Sequence, residues 1–141
     1  MNTSFETIYN RFLSKITDFN LSSDPDYIEE YCFGIIQSSL VKIKPIEHNL
    51  SEVVDLAKKE FTVKLNETEI ECLAIQMVCE WIEPQVNSTL LTQQYMGTKD
   101  EKFYSQSNHL DKLIELRNSQ LSRSQKLRRD YIYRHNSYIK V

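Results

Sequence analysis

Chain breakers are scarce in this sequence. Among 141 residues there are two glycines (Gly34, Gly97) and three prolines (Pro25, Pro45, Pro84). So few breakers argue against many short strands joined by turns and for a handful of long helices. Two glycines can scarcely build a phosphate-cradling loop, and no Gly-x-Ser-x-Gly elbow is present. No apolar run approaches the roughly 20 residues needed to cross a bilayer. The first fifteen residues lack the basic region and apolar core of a secretory signal.

Cysteine is limited to Cys32, Cys72 and Cys79, an odd number set among apolar neighbours. They read as reduced thiols of a cytosolic protein. Cys72 and Cys79 fall near one helical face, but without Cys-x-x-Cys or His-x-x-x-His spacing they are core residues rather than metal ligands. His48, His109 and His135 lie in three different regions. Glu29-Glu30 and Glu67/Glu69/Glu71 cluster, yet a solvated face or a first-turn dipole complement explains them better than an acid/base pair. No enzyme, metal or cofactor is expected. In a chain without secretion, the five Asn-x-Ser/Thr sequons at Asn2, Asn20, Asn49, Asn66 and Asn87 read as caps and turns.

What is present is a helical pattern. Phe5, Ile8, Tyr9, Phe12, Leu13 and Ile16 recur at spacings of three and four, predicting a helix from Thr3 or Ser4 to Thr17. Asp24-Pro25 is a helix start, because Asp accepts orphan amide protons and proline suits the first helical position. The helix it opens should end before Pro45. Gly34 inside it either permits close helix approach or is simply tolerated. From Lys44 to Leu65 the pattern weakens: Leu50–Lys59 suggests a short helix. Phe61–Leu65 alternates like a strand but has no obvious partner, so it reads as extended linker. Asn66 with Glu69 makes a capping box, and Ile70, Leu73, Ala74, Met77, Val78, Trp81 and Ile82 mark a central core helix. Pro84 stops that helix or kinks it, and Gln93–Lys99 is a loop. A last long helix starts near Thr98 or Asp100, and from Arg117 to Arg129 its only clear apolar anchors are Leu121 and Leu127. So polar a stretch projects into water or borders another subunit. The fold class is therefore all-α: a helical bundle over residues 1–130 with a long C-terminal helix, then an extended C-terminal arm over 131–141.

Charge is divided unevenly. Residues 101–141 hold nine Lys/Arg against four Asp/Glu, whereas the first hundred hold eight against sixteen, and the net charge is −3. An acidic body ending in a basic, Tyr-rich tail places that tail against something other than its own core. Three uses compete. The tail's arginines contact phosphates while its tyrosines stack on bases, which would make a small nucleic-acid-binding regulator. It adds as a strand to a partner's sheet edge. Or it is a loose terminus. The second is favoured, since acidic overall charge opposes a polyanion and no nucleic-acid motif is present.

Four segments also carry a resemblance: Tyr9-Asn10-Arg11-Phe12-Leu13-Ser14-Lys15-Ile16, Glu80-Trp81-Ile82-Glu83-Pro84-Gln85-Val86, Lys99 through Leu110, and Arg128-Arg129-Asp130-Tyr131 through Tyr138. Together they resemble the head–tail connector (adaptor, or head-completion) proteins of tailed phages infecting Gram-positive bacteria. Its motifs are structural, so no catalytic residue carries over, and Lys44–Leu65 has no counterpart. The resemblance implies a virion protein made in the bacterial cytoplasm. It forms a ring of about twelve copies under the portal, continues the DNA channel towards tail or stopper proteins, and makes no membrane contact. Portal docking is expected from Arg128, Arg129, Tyr131, Tyr133, Arg134, Tyr138 and Ile139. Arg117, Leu121, Arg123 and Leu127 are expected to contact neighbouring subunits.

Overall fold

Two polar side chains start the first helices. Ser4 Oγ accepts from Glu6 N–H at 3.2 Å and opens α1, Phe5–Lys15. Asp24 Oδ1 accepts from Asp26 N–H at 3.1 Å and opens α2, Pro25–Lys42, with Pro25 in the first turn. Both caps satisfy amides that have no carbonyl one turn earlier. The computed structural model describes residues 2–16, 24–95 and 101–135, and their side chains except at 89–95 and 101–107. The other described elements are strands β1 (Thr3–Ser4), β2 (Val54–Asp55) and β3 (Glu60–Phe61), and helices α3 (Glu67–Tyr95) and α4 (Glu101–His135).

The architecture is all-α in substance. Helices α1, α2 and α4 all pack on α3, which is the central element its apolar stripe predicts. Ile70, Leu73, Ala74, Met77, Val78, Trp81 and Ile82 are all buried. They meet Phe5, Ile8 and Phe12 of α1, Ile36 and Leu40 of α2, and Leu110 and Leu113 of α4. Along α3 and α4 the chain runs antiparallel: Cys79 faces Arg117, Cys72 Sγ reaches Ser124 O at 3.7 Å, and Glu69 faces Tyr131. The three cysteines are free and buried, as core thiols should be.

The region from Leu50 to Leu65 corrects two expectations. No helix forms over Leu50–Lys59, which is turn and strand instead. Phe61 is also not linker: β3 pairs antiparallel with β1 (Thr3↔Phe61) and with β2 (Val54↔Phe61). The missing partner strand comes from the start of the chain, a long-range pairing that local sequence cannot display. The alternation is nonetheless real. Phe61 and Leu65 are buried (0 % and 3 % exposed) while Thr62 and Lys64 face out. Lys59, with φ of 53°, turns the chain between β2 and β3, and its carbonyl accepts from Phe5 N–H at 3.0 Å.

Pro84 does not stop α3, which continues to Tyr95, so Gln93–Tyr95 is helix rather than loop. A proline inside a helix costs roughly 3 kcal/mol. Ile82 and Val86, buried on either side of it, outweigh that cost, and Gln85 Nε2 donates to Trp81 O at 3.2 Å in the same turn. Gly34 is not a close-approach site, because a Cβ there would meet nothing within 4 Å. Among the sequons, Asn66 is a helix cap and Asn49 a turn residue, with Ser51 Oγ donating to its Oδ1 at 2.8 Å. Asn87 lies exposed within α3. Asn20, Thr98 and the remainder of the predicted loop lie outside the described residues.

Candidate partner-binding site on the last helix

Helix α4 runs unbroken to His135, so residues 131–135 are helical and not the start of an extended arm. Local contacts one turn apart explain why. The Tyr131 and His135 rings stack with centroids 4.0 Å apart, and His135 Nδ1 lies 2.9 Å from Tyr131 O. Arg134 Nε donates to Asp130 O at 3.4 Å. Tyr138 and Ile139, named for docking, lie outside the described residues.

The polar half of α4 does not project freely. Residues 113, 117, 120, 121, 124, 128, 131 and 132 are buried or half-buried, a helical stripe lying along α3. Arginine, glutamine and serine occupy much of that stripe, so hydrophobicity alone understates it. Arg123 Nη1 pairs with Glu71 Oε2 at 2.8 Å. The same carboxylate receives Lys15 Nζ at 2.6 Å and Arg11 Nη1 at 3.2 Å. One glutamate thus ties α1, α3 and α4. Burial works against its charge, but Lys15 and Arg11 hold it below the ordinary carboxylate range. Of the other residues expected at subunit contacts, Arg117, Leu121 and Leu127 are half-buried along α4.

The end of α4 is fastened to the segment after α2. Arg128 Nε donates to Pro45 O at 2.9 Å, and Tyr131 Oη to Glu47 Oε2 at 3.0 Å. Asn66 Nδ2 donates to that same Glu47 oxygen at 2.8 Å. The Asn66 and Tyr131 bonds hold Glu47 below the usual carboxylate range, while burial and then Glu47 push the Tyr131 phenol up. Next to Glu47, the predicted capping box is formed reciprocally: Glu69 N–H donates to Asn66 Oδ1 at 2.8 Å, and Asn66 N–H to Glu69 Oε1 at 3.1 Å. Glu69 is 0 % exposed. Its Oε2 accepts from His48 N–H at 2.9 Å, and His48 Nδ1 lies 3.1 Å from both oxygens.

Glu47, His48 and Glu69 bring ligand atoms within 4.8 Å of one another, the donor types of a metal site. The hydrogen bonding is that of a clamp instead. Both oxygens of Glu69 already accept backbone N–H groups, at the positive end of α3, where a carboxylate is favoured and a cation is not. Two histidines read as lying in separate regions, His48 and His135, both face Glu47 across this cluster. Cys32 and Cys79 thiols are pushed up to about 11 by burial, away from nucleophilic reactivity.

Among the residues that α4 leaves outward near its end are Lys126, Arg129, Asp130, Tyr133 and Arg134, all exposed. Tyr133 is 62 % exposed. Between this helix and the segment after α2 lies an open groove of about 530 Å³, lined by residues of α2, α3, α4 and that segment, Tyr133 among them. For its Lys42–Ile46 wall the sequence predicts no more than a helix ending before Pro45 and a pattern that weakens from Lys44. Within Lys42-Ile43-Lys44-Pro45-Ile46-Glu47, Ile43 and Ile46 are the half-buried members. Three positions apart, they follow no strand alternation, so two isoleucines among polar neighbours were the only signal there. Among the described residues no helix is long and apolar enough to cross a membrane. In comparisons with known proteins, no protein-family model, no curated protein and no solved structure matches this chain.

Proposed function

We propose that this chain is a non-catalytic assembly protein that binds a protein partner through the outward face of α4. Following the resemblance in its sequence, the partner is the portal of a tailed phage and the chain is a head–tail connector. About twelve copies then form a ring that continues the DNA channel between head and tail. The observation that carries the reading is Tyr133, 62 % exposed, one helical turn after Arg129 and next to Arg134. Tyrosine and arginine are the residue types enriched at interface hot spots. An aromatic ring left in water at the end of a helix gains from a partner what its own core does not supply.

The test mixes purified portal rings with the full chain and reads the mass of the complex and its outline by electron microscopy. A second ring on the portal is the expected result, lost with Tyr133→Ala plus Arg129→Glu. A wild-type chain that adds nothing, or a double variant that adds normally, overturns the reading. Truncation at Tyr131 is a weaker test, because it also removes the hydroxyl bonded to Glu47. The exposed bases of α4 also admit a second reading, a nucleic-acid-binding regulator. Single-strand binding that falls steeply with salt and is lost with Arg129→Ala would favour it.

A further inference from the structure

The groove beside α4 has an uneven chemistry. Ile43, Ile46, Leu121 and Ile132 contribute aliphatic surface to its wall. Lys42, Lys44, Arg128 and Arg129 contribute positive charge, and no carboxylate lines it among the described residues. Lys42 is already paired with Glu80 at 2.8 Å and Glu83 at 3.3 Å, and Arg128 with Pro45 O at 2.9 Å. Lys44 and Arg129 are exposed and have no ion-pair partner among the described residues, so two cations stand ready at the rim of an aliphatic trough.

We infer that this groove is the docking site for an acidic segment of the partner protein that carries aliphatic side chains on one face. The inference rests on the assembly reading above and names the chemistry of the partner. Charge complementarity selects the acidic character, since aspartate or glutamate flanking the segment meets Lys44 and Arg129. The isoleucines select the anchor: leucine- or isoleucine-sized side chains bury against them, as in helix-in-groove recognition. Nucleic acid fits less well. A single-strand site stacks successive bases on several aromatic rings, whereas Tyr133 is the one aromatic residue lining this groove. The chain's own last six residues fit poorly on charge, because 136–141 contain Lys140 and no acid.

Fluorescence anisotropy tests this with the full-length chain and a labelled peptide of about 15 residues, glutamate-rich with leucines at helical spacing. Three comparison probes complete the set: the same peptide with serine for leucine, its lysine-rich counterpart, and an oligothymidylate. The leucine-bearing acidic peptide should bind, and Lys44→Glu with Ile132→Ser should weaken it about tenfold or more. Unchanged helicity and thermal midpoint in that variant show that the loss is local. Equal binding of the serine peptide would mean charge alone, and preferential binding of the oligothymidylate would mean nucleic acid. Either result, or an unaffected groove variant, overturns the inference. Arg129 and Tyr133 also line the groove, so the groove variant, and not the portal-test pair, separates the outcomes. Portal rings that still form with the groove variant sink the groove and leave the connector reading standing. Peptide binding without portal binding does the reverse.

Discussion

The phenol of Tyr131 donates a 3.0 Å hydrogen bond to Glu47 Oε2, joining residues 84 positions apart. This bond, with Arg128 Nε on Pro45 O, anchors the end of α4 to the segment that forms one wall of the groove. The charged tail is thus in part a structural device, and its inward residues are distinct from the outward ones offered to a partner.

Tyr131→Phe should therefore loosen that wall while the bundle stays folded. The bond is exposed to solvent, so the expected loss is about 0.5–1 kcal/mol, below the range of a buried hydrogen bond to a charged acceptor. Hydrogen exchange should show faster amide exchange over residues 43–49 with little change in α1. Unchanged exchange there would mean that the bond does not hold the segment.

Glu69→Ala removes a fully buried acceptor from the N–H groups of Asn66 and His48, in bonds that are part-buried. Orphaning a buried donor costs about 1–3 kcal/mol, and with these two donors half-buried, denaturant unfolding should show a loss of about 1–2 kcal/mol. Glu69→Gln keeps one acceptor oxygen and should lose less. Equal losses would mean that one remaining acceptor is not enough and that the charge or both oxygens are needed.

Acid should weaken the α1–α3–α4 junction. Glu71 is held below its ordinary value of 4.5 in the folded chain, by Lys15 and Arg11 against the effect of burial. A depressed folded value means that the unfolded chain takes up the proton first. The stabilisation is complete above the ordinary carboxylate range and is lost as pH falls through the folded value. Glu71→Gln should flatten the acid limb of stability against pH below about 4.5. A limb of the same slope in the variant would assign acid unfolding to other groups.

Gly34→Ala should stabilise the protein by about 0.5–1 kcal/mol. The position is helical, exposed and clear of neighbours within 4 Å, so the added methyl group meets no obstacle while the unfolded chain loses freedom. A lower thermal midpoint in the variant would contradict this.

Phe12→Ala should be the most damaging of these changes. The ring is 0 % exposed, in the cluster where α1 meets α3, and cavities of this size cost about 3–5 kcal/mol. A loss under about 1 kcal/mol, measured by denaturant titration, would mean that the site collapses around the gap.

Features set by near neighbours could be read directly from the sequence. Apolar spacing located α1, α2 and α3, and Ser4, Asp24 and Asn66 with Glu69 marked their starts, because a cap and the amide it satisfies lie within three residues. The division between an acidic body and a basic last third was equally plain. Tertiary structure decided the rest, where the partner is distant along the chain. Thr3 completes the ladder that makes Phe61 a strand residue, buried Ile82 and Val86 carry α3 past Pro84, and Glu71 collects bases from two other helices. Glu47 and Pro45 draw Tyr131 and Arg128 inward. Whether an arginine or tyrosine of α4 serves the fold or faces outward depends on what stands opposite it, and only packing brings those groups together.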